Sequence, residues 1–140
     1  MTEAIKVIIQ NRSPLLSEDS EVFQEILSFF GEGAKIIPDT LDLNSFLAPH
    51  RLYRVIRIKE KSFKDCAYKL VDDFPEFAHA CGMLRYYKSP GEVYWSEVEK
   101  AENILSDAMT MDVYGWTPDA FTLFENADPG AYELVAILAF

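Results

Sequence analysis

The side chains with chemistry beyond packing are two cysteines, two histidines and several pairs of neighbouring carboxylates. Cys66 falls in the first turns of a helix that Ser62 can begin, where the backbone dipole favours a thiolate and Lys64 or His79 could assist. No orienting motif accompanies it, and it adjoins the apolar stripe of Phe63, Ala67 and Leu70, so the expectation is a small core residue. His50, Cys66, His79 and Cys81 are the right types for tetrahedral zinc, but the close ligand pairs of such a site are missing. Asp72/Asp73 and Glu99/Glu102 lack the repeated oxygen spacing of a calcium loop. The chain also has no Gly-rich phosphate loop, no nucleophile elbow, no His-Glu-x-x-His and no Cys-x-x-Cys. No catalytic residue, metal or cofactor is assigned.

Binding surfaces are better marked than reaction centres. Leu84 to Tyr87 and Val93 to Trp95 flank Ser89-Pro90-Gly91-Glu92, whose central Pro-Gly suits a type II turn. A hairpin in that register sets Tyr87 opposite Tyr94 and Tyr86 opposite Trp95, on opposite faces, so one aromatic pair faces outward beside Arg85 and Lys88. The following helix, over residues 96–109, buries Val98, Ala101, Ile104, Leu105, Ala108 and Met109 and leaves Glu97, Glu99, Glu102 and Asp107 for solvent. A second candidate surface is the strand from Arg51 to Lys61, where His50, Arg51, Arg54 and Arg57 could hold an anionic ligand.

The elements that carry these residues read as an α+β domain. Ile5, Val7 and Ile9 alternate with other residues, which predicts a strand over residues 1–10. Ser17 caps a helix burying Val22, Phe23, Ile26, Leu27 and Phe30, and residues 35–37 form a short strand before a connection over 38–50. The basic strand and the Ser62 helix follow, residues 72–81 give conflicting signals, and Thr117-Pro118-Asp119 opens a short helix. Asp128-Pro129-Gly130 is a turn into Ala131 to Phe140, an apolar run that reads as a strand covered on both faces. This order implies a mixed, mostly antiparallel sheet with helices packed mainly on one face and both terminal strands near its centre.

Composition narrows the function. A length of 140 residues with 49% hydrophobic residues fits one folded domain, residues 1–140. No run approaches a membrane span, the start lacks an export pattern, and two cysteines are most simply reduced thiols; the expected setting is the cytoplasm. The net charge of −10 argues against direct nucleic-acid binding. It is unevenly spread: residues 51–64 hold six bases and one acid, residues 92–140 ten acids and one base.

The leading expectation is a small acidic inhibitor or immunity-type domain, monomeric or homodimeric. It would act as a nucleic-acid mimic, presenting carboxylates to a basic protein partner such as a nuclease. The alternative is a small-molecule binder or enzyme built on the basic strand.

Overall fold

The computed structural model describes residues 2–28, 34–36, 40–89, 95–109, 121–122 and 131–140. In chain order the elements are α1 (Thr2–Arg12), α2 (Glu21–Ser28), β1 (Ala34–Ile36), α3 (Thr40–Phe46), β2 (Tyr53–Glu60), α4 (Phe63–Asp73), a 3₁₀ turn (Pro75–His79), β3 (Gly82–Lys88), α5 (Trp95–Ala108), β4 (Phe121–Thr122) and β5 (Tyr132–Ala139). Thr117-Pro118-Asp119, the turns at residues 90–92 and 128–130, and Tyr94 lie outside the described residues.

The sheet is organised around β5. Both β2 and β3 pair with it antiparallel, in the order β2-β5-β3, with Ile56 opposite Ala136 and Tyr86 opposite Val135. Successive residues of a strand face opposite sides. Leu134, Ala136 and Leu138 enter one core with Phe63, Ala67 and Leu70 of α4 and Val98, Ala101 and Leu105 of α5. Val135, Ile137 and Ala139 enter the other, with Ile5 and Ile9 of α1, Phe23 and Ile26 of α2 and Leu43 and Phe46 of α3. A strand covered on both sides has no polar face to present, which is why residues 134–139 are continuously apolar. The α+β class and the antiparallel sheet agree with the sequence. The helices, however, divide between the two faces instead of gathering on one. β1 and β4 form a separate two-stranded sheet, Ala34 opposite Thr122.

The N-terminal segment differs from expectation: residues 2–12 are helix, not a central strand. Ile5 and Ile9 satisfy helical spacing as well as alternation, and the burial decides between the periods. Ile5 and Ile9 are buried while Val7 is 52% exposed. The Ser13 amide donates to the Ile9 carbonyl at 2.8 Å and closes the last turn.

Helix α2 starts a turn later than Ser17 suggested, because Ser20 is the residue whose hydroxyl accepts from the Phe23 amide, at 3.2 Å. The Ser62 cap is as read, its hydroxyl accepting from the Asp65 amide at 3.1 Å. The ambiguous stretch after Asp72 resolves into the end of α4, where the Phe74 amide donates to the Leu70 carbonyl, and a 3₁₀ turn opened by Pro75.

Tyr86 does not meet Trp95 across a hairpin as expected. β3 takes β5 as its partner, and Trp95 is the first residue of α5. A hairpin would have paired β3 with the next segment in sequence, whereas pairing with residues 132–139 gives its two faces two cores to fill.

Candidate interaction edge

The site residues expected from sequence are distributed differently from their reading. Glu102, expected on the solvent side of α5, points into the sheet. Its carboxylate accepts from the Arg85 Nε at 2.8 Å, from Arg85 Nη2 at 2.5 Å and from the Tyr87 hydroxyl at 3.0 Å. Arg85 is fully buried. Burial pushes the Tyr87 phenol well above its ordinary range, and the Glu102 charge beside it adds to that.

Glu99 and Asp107 are exposed and Glu97 is half-buried, so α5 keeps only part of its expected acidic face. Tyr86 is buried on the opposite side of the sheet and donates to Glu25; burial raises its phenol to about 12. Of the aromatic patch, only Trp95, 47% exposed, stands at the described surface.

The basic strand is likewise accounted for within the chain. The Arg51 guanidinium donates to the Ser45 and Phe46 carbonyls at 2.7 and 2.6 Å, and Arg12 donates to those of Asn44 and Leu47. Two cations thus satisfy the C-terminal carbonyls of α3, where the helix dipole favours positive charge. Arg54 and Arg57 face opposite sides of β2: Arg54 pairs with Glu76 and stacks over Phe74, while Arg57 pairs with Glu21 and Glu25 of α2. His50 is exposed in the turn before β2. His50 and Arg51 line one groove at the start of β2, whereas Arg54 and Arg57 lie on opposite faces of the strand, so the four residues do not gather at a single site.

Reactive chemistry finds no support in the thiols. Cys66 is buried, its S–H near the carbonyls of Ile58 and Tyr132 at 3.6 and 3.4 Å, and desolvation pushes its pKa up to about 12. A thiol held that high carries almost no thiolate at neutral pH. Cys66 and Cys81 are both free. Among the described residues no three His, Cys, Asp or Glu side chains gather as a metal site would require.

What the fold leaves open is an edge of the sheet. Leu52 and Phe140 exchange both backbone hydrogen bonds, at 3.1 and 2.8 Å, which fixes the phase of the ladder. Every second residue from Leu52 (Arg54, Ile56, Ile58) therefore bonds β5, and the amides and carbonyls of Val55 and Arg57 point the other way. Among the described residues no strand lies on that side, and no backbone hydrogen bond reaches Val55 or Arg57 there. The opposite edge, β3, has β4 packed beside it.

The start of β2 opens onto a groove of about 400 Å³ rimmed by Leu15 and Leu52, which are 90% and 76% exposed. At its floor the Tyr53 hydroxyl accepts from the Ala48 amide at 2.9 Å, donates to the Ala48 carbonyl at 3.2 Å and lies 3.1 Å from the Ser13 hydroxyl. With these polar atoms engaged, the groove offers apolar contact from Leu15, Leu16, Val22 and Leu52, beside His50 and Arg51. Nothing in the sequence pattern distinguished this edge, because which strand lies outermost depends on the β5 pairing.

No protein-family model matches the chain, and no curated protein matches it in sequence. Solved structures do. An FtsZ dimer from M. jannaschii, solved empty, superposes with a TM-score of 0.62 at 14% identity over 82% of this chain and 34% of that one. A single-substitution mutant of the same FtsZ gives 0.61 at 12% identity over 85% and 38%. The chain shares its fold with part of FtsZ. It spans little more than a third of the length of the FtsZ chains it matches.

The expectation of an inhibitor, immunity protein or nucleic-acid mimic is overturned by this fold and by the burial of Glu102, Tyr86 and Tyr87. Its physical error was to count as surface a carboxylate and one face of an aromatic strand that a doubly covered sheet takes inside. No helix among the described residues is long and apolar enough to cross a membrane.

Proposed function

We propose that the chain is a non-catalytic association module that docks a protein strand onto the open edge of β2. The observation that carries this reading is the outward-facing backbone of Val55 and Arg57, a donor and acceptor row with no described partner. An added strand satisfies such a row with main-chain hydrogen bonds, and flanking apolar contacts supply selectivity. Leu15 and Leu52 at the adjoining groove provide those contacts. The likeness to part of FtsZ, one example of which was solved as a dimer, is in keeping with an assembly role. A reducing setting such as the cytoplasm suits the two free thiols.

Amide hydrogen exchange tests the reading without knowledge of a partner. In dilute protein the Val55 and Arg57 amides should exchange rapidly, while those of Ile56 and Ile58, bonded to β5, exchange slowly. Equal protection of all four in single molecules would mean that the edge is already covered, and the reading would fall.

A further inference from the structure

We infer that the occupant of the β2 edge is a second copy of this chain, its own β2 added antiparallel so that two three-stranded sheets become one. The inference rests on the docking role proposed for that edge and names its partner.

Three features of the edge favour a copy of itself. First, the edge is long and regular: residues 53–60 pair with β5 in an unbroken register, with no proline in the strand, so the devices that usually blunt an edge are few. Secondly, its charges are drawn back. Arg54 is paired with Glu76 on one face and Arg57 with Glu21 and Glu25 on the other, so the arginines that would repel an identical strand are neutralised within their own molecule.

Thirdly, the strand is self-complementary in one register. Outward-facing residues must meet outward-facing residues, which restricts the choice to alternate registers. The one centred on Ile56 sets Val55 against Arg57 of the second copy and Arg54 against Ile58, overlaps the strands fully and places no two like charges opposite. Moving it by one allowed step toward Arg57 opposes Arg57 to itself, which costs stability. Moving it the other way shortens the overlap. In the favoured register Val55 and Arg57 exchange both hydrogen bonds with their counterparts, so the two residues left open in a single copy are the two satisfied in the pair.

Two variants of one residue isolate the backbone. Arg57→Ala removes the ion pairs and keeps the outward N–H; Arg57→Pro removes the ion pairs and the N–H, without taking a bond from the β5 ladder. Sedimentation equilibrium should show a dimer for the parent chain and for Arg57→Ala. For Arg57→Pro the dissociation constant should rise by about tenfold or more, the equivalent of about one to two lost hydrogen bonds. In the parent chain, which needs no variant to fold, the exchange of the Val55 and Arg57 amides should slow together as concentration rises.

A parent chain that sediments as single copies throughout, with those amides open, overturns the second copy and leaves the docking edge standing. A dimer that Arg57→Pro does not weaken beyond Arg57→Ala, or one that forms without protecting the two amides, uses another surface and overturns the second copy at this edge. Val55 and Arg57 amides protected in single copies remove the edge itself.

Discussion

Replacing Glu102 with leucine should be among the most damaging single changes in the chain, and replacing its partner as well should repair much of the damage. Arg85 is fully buried and Glu102 about a tenth exposed, and the two are joined through both carboxylate oxygens at 2.5 to 3.0 Å. Removing the carboxylate alone leaves a guanidinium that cannot lose its proton in the core between α5 and β3, and takes the Tyr87 hydroxyl's acceptor with it. Such a change costs about 3 to 5 kcal/mol, a large share of the roughly 5 to 15 kcal/mol that holds a domain folded.

The converse change, Arg85→Met, should cost less, because Glu102 at the margin of the core can take up a proton or water. The double variant Arg85→Met with Glu102→Leu removes the unpaired charge and fills the space with apolar atoms, but still leaves the Tyr87 hydroxyl without its acceptor, so it should lie about 1 to 3 kcal/mol below the parent. Urea unfolding followed by circular dichroism reads all four proteins. With a slope of about 1.5 kcal/mol per molar, a 3 kcal/mol loss moves the midpoint by about 2 M while the slope stays constant. Additive losses in the double variant would show that the two side chains act independently, and a near-neutral Glu102→Leu would show that the pair is solvated; either refutes the argument.

Three further outcomes follow from the same structure. Deleting residues 137–140 should unfold the chain, because these residues pair with both β2 and β3 and Ile137, Leu138 and Ala139 are fully buried; a truncated chain melting cooperatively at the parent temperature would contradict this. Tyr53→Phe should cost about 1 to 3 kcal/mol in the same urea assay by leaving the Ala48 amide without its acceptor, and an unchanged midpoint would show that water replaces the hydroxyl. Stability should also fall at alkaline pH. Burial raises Cys66 from 9.0 to about 12 and Tyr86 from 10.0 to about 12, so the folded chain holds protons that the unfolded chain releases. Their contributions are complete below pH 9 and are lost between about pH 9 and 12; Cys66→Ala should delay the onset toward pH 10, as pH-dependent thermal melting would show.

How far the sequence foretold the structure depended on whether a segment's periodicity had one interpretation. The Ser62 helix was legible because a cap, an acidic residue three positions on and a single apolar stripe agree. The 131–140 strand was legible because a short, uninterrupted apolar run fits a doubly covered strand. Residues 2–12 were not, since isoleucines at 5 and 9 satisfy two periods and only their packing against α2 and α3 chooses between them. The hairpin failed for a non-local reason: an aromatic segment followed by Pro-Gly signals a local turn, but the competing partner for β3 lies some fifty residues downstream in β5.

That pairing also decides what is surface. Once β5 takes the centre and helices cover both faces, residues 83–87 have no outward side, so Arg85, Tyr86 and Tyr87 must all be buried and the one charge among them must be matched. Glu102 supplies the match from α5. Among the described residues, the same arrangement leaves open backbone hydrogen-bonding groups at the β2 side of the sheet, not on a face. A sheet sealed above and below by helices can grow only in its own plane, and among the described residues β2 is the outer strand with no strand on its free side.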